Sequence, residues 1–597
     1  MSWRRIFHRG GSDPADSPNA GSGSAGPASE PDHPADPALA LVRDYHRATK
    51  HAPARFARGP GWMDWDTQPS PFRRWEGAEF VPLDRPEPTA AGEPFELAPG
   101  DALYEHVFAL GRVAPAPLDR AFVSQLFFDS LALSAWKRAG EAHWSLRVNP
   151  SSGNLHPTEG YLLAPAIPGS SDEPLLAHYA PKEHGLEVRA RIPQDLWTRL
   201  VAGLPADTVL VGLTSIHWRE SWKYGERAYR YCQHDAGHAL ACVTLAAAAR
   251  GWRATLLDGL GSDELGALLG TGDTAHPEAE EPDLLVALHP VGSEVSVTRL
   301  DAAAIAEIAS LERRGIPNTL SPDHEDWPAI DAVAAACSKP ADVLARGGFE
   351  PPFAPLEVGD EPISFRRIAR GRRSAVAMDA RSGLARDGFY QTLRRTLPGR
   401  DEAPWCALPW RPRVHLALFV HRVADVDPGL YLLLRDPGAL DELRAALDPN
   451  FTWERAPECP DDLPLYHLRT GDARGLAAHL SCDQAIAGEG CFAVAMLARF
   501  DASLEEDGPW MYPRLFWETG AIGQTLYLEA EALGLRATGI GCYFDDGVHG
   551  ALGMSRAPGA SGRAFQSLYH FTVGGAVDDA RITTEPAYPV AGGGGPN

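Results

Sequence analysis

Three short stretches combine residue types that could do chemistry. Arg372-Arg373-Ser374, within SFRRIARGRRSAVAMD, sets two guanidinium groups and a hydroxyl in a row. That is a suitable anion clamp, because planar guanidinium donors match phosphate oxygens. A solvated basic helix face is the competing reading. Pro150-Ser151-Ser152-Gly153-Asn154, within RVNPSSGNLHPTEGYLL, is a turn of small residues ahead of an apolar run. Such a turn brings backbone N–H groups close to a ligand, and its Ser hydroxyls add donors. Gly539-Ile540-Gly541 would let the backbone touch a flat ligand, although a lone GxG is also an ordinary turn. His234 and His238 lie one helical turn apart, a metal-compatible spacing, but no third ligand accompanies them. Helix packing is the simpler reading of that pair. GLGSDELG (259–266) is not a GxGxxG fingerprint, and no P-loop is found.

The elements that must position these residues occur in two related blocks. GHALACVTLAAAARGWRATLLDGLGSDELGALLG (237–270) and GAIGQTLYLEAEALGLRATGIGCYFDDGVHGALG (520–553) align without gaps at an offset of 283. They share Gly237/Gly520, Leu245/Leu528, Gly251/Gly534, Arg253-Ala254-Thr255/Arg536-Ala537-Thr538 and Gly270/Gly553. The same offset places LLVALHPVG (284–292) on SLYHFTVGG (567–575). This reads as a tandem duplication of an α+β unit. In each block an Ala/Leu-rich helix with small surface residues precedes the shared glycine, suited to close helix packing. Apolar runs at 159–167, 208–216, 413–423 and 429–436 predict strands.

The differences between the blocks carry the functional information. Where the second has Gly539-Ile540-Gly541, the first has Leu256-Leu257-Asp258, whose side chains would obstruct a ligand. No RRS-like clamp precedes residue 120. The second block reaches its first strand through PWCALPWRPRVHLALF, without a PSSGN-like turn.

Composition excludes several classes. The chain has 597 residues, too many for one core, and a net charge of −24, which argues against nucleic-acid binding. Eight scattered cysteines without a CxxC pair suit reduced thiols, hence a cytoplasmic location. No apolar run is long enough for a membrane span, and MSWRRIFHRGG lacks a secretory signal's apolar core. The expected organisation is a disordered tail over 1–38, one domain over 39–340, a linker over 341–362, a second domain over 363–590 and a flexible tail over 591–597.

The combination of RRS, PSSGNLHP before a strand and a glycine turn after a long helix resembles the FMN-dependent nitroreductase superfamily. Within it the chain is similar to SagB-type (thiazole/oxazole-forming) peptide dehydrogenases. YHRATKH (45–51), WKYGERAYRY (222–231), LFWETGAIGQTLYLEAEALGLRATGIGCYFDD (515–546) and SLYHFTVGG are also family-like, so the likeness covers nearly all of residues 40–590.

That resemblance implies two nitroreductase-like α+β units, each a mostly antiparallel sheet flanked by helices, fused as an intramolecular pseudo-dimer. It implies FMN at the interface. Arg372, Arg373, Ser374, Gly539, Ile540 and Gly541 would come from one unit, and Pro150, Ser151, Ser152, Gly153 and Asn154 from the other. The mirror-image site lacks both sets, so one FMN per chain is expected. Arg581 matches a family position that reaches the phosphate, and Arg147 either touches the cofactor or forms an internal ion pair. The Lys223-Tyr224 pair corresponds to the family's candidate base and proton relay; a surface lysine beside a packing tyrosine is the plainer reading. Trp510-Met511-Tyr512 is its expected counterpart in the second block. Cys482 is read as a structural thiol, and Glu518, Asp545 and Asp546 as flavin-tuning or turn-capping groups.

The implied activity is azoline-to-azole oxidation of a peptide- or amino-acid-derived substrate, delivered by a partner protein when it is a peptide. NAD(P)H-dependent nitro or quinone reduction and a non-catalytic peptide-binding scaffold are the alternatives.

Overall fold

The computed structural model describes residues 36–86, 97–98, 100–272, 276–293, 295–346, 350–554 and 564–588. Most of the expected tail 1–38, the tail 591–597 and residues 347–349 of the expected linker lie outside them. The described chain opens with a helix over Pro37–Ala48, which therefore begins inside the stretch read as tail. Proline at a first helical position lacks only an N–H that would be unpaired there anyway. From residue 37 onward the chain forms one compact unit.

Two seven-stranded antiparallel sheets dominate. The first contains β1 (Glu79–Pro82), β2 (Thr158–Ala164), β3 (Leu175–Ala180), β4 (Gly185–Arg191), β5 (Val209–Ser215), β6 (Trp252–Leu256) and β7 (Glu281–Pro290). Its order is β1-β4-β3-β2-β5-β7-β6. The second contains β8 (Val414–Val420), β9 (Gly429–Leu433), β10 (Glu454–Arg455), β11 (Leu465–Thr470), β12 (Phe492–Arg499), β13 (Arg536–Ile540) and β14 (Phe565–Gly574). Its order, β10-β11-β9-β8-β12-β14-β13, repeats the first at every position except the chain origin of the edge strand.

These strands are apolar on both faces because both faces are covered. Leu162 and Ala164 of β2 enter a central core, whereas Tyr161 and Leu163 enter an outer core beneath helices Gln194–Leu200, Ser262–Leu269 and Ala302–Ala309. Leu416, Leu418 and Val420 of β8 enter the same central core. Ala417 and Phe419 face outward, beneath helices Leu440–Ala446, Arg474–Leu480 and Asp545–Ala551. The two-residue period of a strand thus sorts each sheet's side chains between a private outer core and one shared inner core.

Two long buried helices fill that inner core, α1 (Ala228–Ala248) and α2 (Met511–Ala532). They start 283 residues apart, as do β5 and β12, and helices His217–Tyr224 and Phe500–Asp507. They cross where glycines remove side-chain bulk. A Cβ on Gly237 would clash with the Trp517 carbonyl, and one on Gly520 with the His234 carbonyl. The small-residue surface seen in the sequence is this crossing.

A smaller sheet joins the ends of the chain. The hairpin Leu133–Ala139/Ala142–Arg147 takes Thr583–Glu585 as a third strand. Among the described residues no helix is long and apolar enough to cross a membrane.

Candidate active site

The PSSGN turn connects the strand Ala142–Arg147 to β2. Gly153 and Asn154 both adopt left-handed backbone, with φ of 58° and 60°. Asn154 tolerates this because its amide donates to the Ser145 carbonyl at 2.7 Å. The Ser152 backbone N–H and hydroxyl each donate to Asp235 of α1 at 3.1 Å, and the His156 N–H donates to the Ser151 hydroxyl at 2.7 Å. α1 therefore fixes the turn from below.

The exposed side of the turn meets the candidate base pair. Lys223 and Tyr224 end the helix His217–Tyr224. A Cβ on Gly153 would clash with the Tyr224 hydroxyl and lie 3.0 Å from Lys223 Nζ. Burial lowers the Lys223 ammonium from its ordinary value, against an opposing pull from Glu220. Among the described residues Lys223 has no ion-pair partner within 4 Å. Burial also raises the Tyr224 phenol well above its usual range, with Glu220 and Tyr231 adding to the effect.

Two carboxyls beneath this pair give no sequence signal. Glu220 is fully buried, and neither of its carboxyl oxygens has a hydrogen-bond partner among the described residues. Burial pushes it well above the carboxylate range, with Asp235 adding to the rise. Burial also pushes Asp235 up to about 7, despite the bonds it accepts from Ser151 and Ser152. Each is one acidic residue in a helical sequence, and only the tertiary packing brings them together.

The second half supplies the clamp and the glycine turn. Arg372 follows helix Phe365–Gly371; its Nη2 donates to the Arg147 carbonyl at 3.2 Å, crossing to the first half. Its Nε has no partner among the described residues. Arg373 donates to the Ser134 carbonyl at 3.3 Å. Burial and neighbouring Arg372 lower the Arg373 guanidinium to about 9. Lys137 of the small sheet is lowered too, first by burial and then by Arg373 and Arg536. Four cations thus face one another against Glu531 and Asp578, a surplus of positive charge suited to an anion.

One tyrosine links the clamp to the glycine turn. The Ser374 hydroxyl bonds the Tyr527 hydroxyl at 2.8 Å, and that hydroxyl accepts the Gly539 N–H at 3.0 Å. A Cβ on Gly539 would clash with Tyr569, and one on Gly541 with Tyr231. Ile540 is buried in the outer core of the second sheet. Tyr231 in turn packs edge-on to Tyr224, with centroids 4.8 Å apart. Gly541, Tyr231, Tyr224 and Gly153 form a continuous chain of neighbours across the two halves.

The other expected residues lie elsewhere. Arg581 is 66% exposed and pairs locally with Asp579 at 2.5 Å. Arg147 is buried in an internal network, 3.7 Å from Glu159 and donating to the Thr158 carbonyl. His234 stacks on Tyr569 at 4.0 Å, and His238 lies within 3.3 Å of its hydroxyl, so both pack α1 against β14. Asp545 is buried between Arg230 at 2.8 Å and Arg227 at 3.1 Å.

The mirror-image position differs in kind. Trp405–Trp410 leads into β8 as PSSGN leads into β2, and lines a cavity of about 260 Å³ with Arg253, Arg435 and Glu518. Glu518 holds the place on α2 that Asp235 holds on α1. It forms a buried ion pair with Arg435 and accepts the Arg413 and Val414 N–H groups. The element correspondence also corrects the expected counterpart of Lys223-Tyr224. Glu506-Asp507 occupies that place, ion-paired to Arg413 at 2.7 and 3.0 Å, whereas Trp510, Met511 and Tyr512 lie at the start of α2. The sequence offers an aromatic nearby, but helix phase decides the equivalence.

No family model and no curated protein matches the sequence. Among solved structures, a protein from Anabaena variabilis ATCC 29413 assigned as a nitroreductase matches with a TM-score of 0.64 at 20% identity. The match covers 90% of this chain and 99% of that one. A Ralstonia eutropha JMP134 protein, likewise assigned as a nitroreductase, gives a TM-score of 0.25 at 16% identity, over 38% of this chain and 95% of its own. A chain of the E. coli microcin synthetase McbBCD complex with truncated pro-MccB17 gives 0.26 at 17%, over 43% and 95%. The protein has a nitroreductase-like α+β fold, and the first of these matches spans both halves.

Proposed function

We propose that the protein is an FMN-dependent oxidoreductase that holds one flavin between its halves and dehydrogenates a peptide- or amino-acid-derived azoline. The observation that carries this reading is the asymmetry of the two mirror positions. One side gathers Lys137, Arg372, Arg373 and Arg536 with the PSSGN turn, the Gly539–Gly541 turn and Lys223. The other, a cavity lined by Trp405 and Trp410, has the buried Arg435–Glu518 ion pair where the first has Asp235 beneath the PSSGN turn. The partnerless Nε of buried Arg372 and the mutually repelling cations fit a phosphate.

Bound FMN supplies a two-electron acceptor. The chain's own residues do the rest. Arg372, Arg373 and Ser374 would hold the phosphate with Arg536 and Lys137, and the backbone N–H groups of the PSSGN turn would serve the rest of the cofactor. Oxidising an azoline removes hydride from one carbon and a proton from its neighbour, so a base is needed. Lys223, whose ammonium burial disfavours, takes that proton, and Tyr224 relays it. Burial raises the Glu220 carboxyl, which weakens its opposing pull toward a Lys223 ammonium. A partner protein delivers the substrate when it is a peptide, and the location is cytoplasmic, in keeping with the scattered thiols.

Flavin released from purified, FMN-saturated protein is expected at about one per chain. Two tightly held flavins, or none after reconstitution, would overturn the reading. Anaerobic bleaching by an azoline-containing peptide but not by NADPH is expected of the dehydrogenase; rapid bleaching by NADPH alone would assign a reductase.

A further inference from the structure

We propose that Cys482 and Cys542 form a redox-active dithiol, at the rim of the candidate site, that exchanges with low-molecular-weight disulfides. This goes beyond the flavin reading and does not require a bound flavin. The two sulfurs lie 2.7 Å apart although 60 residues separate them in sequence. Cys542 directly follows Gly541, and Cys482 lies just past helix Arg474–Leu480.

Independent hydrogen bonds hold the two segments together on both sides of the sulfurs. The Phe544 N–H donates to the Leu480 carbonyl at 2.8 Å. The Gln484 amide donates to the Cys542 carbonyl at 3.1 Å and to the Ser481 carbonyl at 2.7 Å. Bond formation therefore needs little backbone movement. Cys482 and Asp483 adopt consecutive left-handed conformations, with φ of 55° and 57°. Such strain at two non-glycine residues persists only where the surroundings impose it, and here it directs the Cys482 side chain at Cys542.

Proximity, not exposure alone, singles out this pair. Cys406, Cys459, Cys482 and Cys542 are all partly exposed, whereas Cys232, Cys242, Cys337 and Cys491 are buried, but only Cys482 and Cys542 have their sulfurs in contact among the described residues. The thiol–thiol contact holds Cys542 down, against burial, and Cys482 up, while the Arg227 guanidinium favours thiolate character at both sulfurs. Cys542 is then the attacking sulfur. Its thiolate breaks the S–S bond of an external disulfide, releases one thiolate and forms a mixed disulfide. Cys482, losing its proton to solvent, attacks the Cys542 sulfur and displaces the second thiolate. The protein dithiol is oxidised by two electrons and the small disulfide is reduced to two thiols. The closed bond would tether the residue after the Gly539–Gly541 turn.

The test equilibrates the full-length protein with oxidised or reduced glutathione, alkylates it under denaturing conditions and maps its peptides by mass spectrometry. Oxidised glutathione should remove two alkylatable thiols and yield a Cys482–Cys542 cross-linked peptide, and reduced glutathione should restore both. Cys482→Ser should instead accumulate one glutathione adduct on Cys542, and Cys542→Ser should react more slowly at Cys482. Wild-type protein that keeps both thiols alkylatable, or stops at a stable single adduct, would overturn the proposal.

Discussion

Lys223 takes its chemistry from its surroundings: burial depresses the amine, and the nearest carboxyl, Glu220, is itself driven toward its neutral form. A base works when unprotonated, so kcat/KM should rise with pH through a pKa below the ordinary lysine value. Lys223→Ala should remove that limb and lower turnover by about 10²–10⁴-fold, the usual range for a positioned base. Flavin content should stay unchanged; an unaltered rate would remove Lys223 from the mechanism. Gly153 makes a separate prediction. Its φ of 58° and the clash of a Cβ with the Tyr224 hydroxyl oppose any side chain. Gly153→Ala should cost roughly 1–2 kcal/mol from backbone handedness alone and weaken flavin retention, read by urea denaturation and by flavin loss on dialysis. The turn was legible in the sequence because its chemistry is local: small residues, a proline and an Asn that tolerates left-handed backbone. Glu220 and Asp235 were not legible, since nothing local marks a carboxyl that packing alone will bury.

The same division between local and distant information holds for whole elements. β2, β5, β8 and β9 were readable as apolar runs because both faces of each sheet are covered. The strand Thr583–Glu585 was not, because its partner Trp136–Arg138 lies more than 440 residues away and short polar strands carry little pattern. The counterpart of Lys223-Tyr224 was misplaced for a related reason. Residue type suggested Tyr512, but the helices start at His217 and Phe500, which fixes Glu506-Asp507 as the match. The crossing of α1 and α2 was anticipated from small residues and can be tested directly. A Cβ on Gly520 would lie 2.8 Å from Gly237 Cα and from the His238 nitrogen, and backbone atoms cannot move aside. Gly520→Leu should destabilise by at least about 1–3 kcal/mol, the ordinary cost of overpacking. Gly550→Ala, where a Cβ meets nothing within 4 Å, is the matched control and should gain up to about 1 kcal/mol from helix propensity. Equal denaturation midpoints for the two variants would mean that the crossing tolerates separation.

At the scale of the molecule, Asp545 is where three parts of the chain meet. It heads the helix Asp545–Ala551 of the second half and accepts the His51 N–H at 2.9 Å from the N-terminal segment. It also pairs with Arg227 and Arg230 at the start of α1, and the Arg227 guanidinium extends to the Gly541 carbonyl at 3.1 Å. Burial alone would raise this carboxyl, but the two guanidiniums hold it at about 2, below its ordinary 3.8. A depressed carboxylate lends stability that is complete above its unfolded value and disappears as pH falls through its folded value. The contribution should therefore be full above about pH 4 and fade toward pH 2 as Asp545 takes up a proton. Asp545→Asn leaves two buried guanidiniums without their countercharge, a loss of about 3–5 kcal/mol at neutral pH. Urea midpoints of wild type and variant should thus be far apart at neutral pH and converge in acid. Because Arg227 also steadies the Gly541 carbonyl, the variant should release flavin more readily than Gly550→Ala, which touches neither the pair nor the turn. Midpoints that stay parallel across the whole pH range would place the stability of this junction in packing instead of in the ion pair.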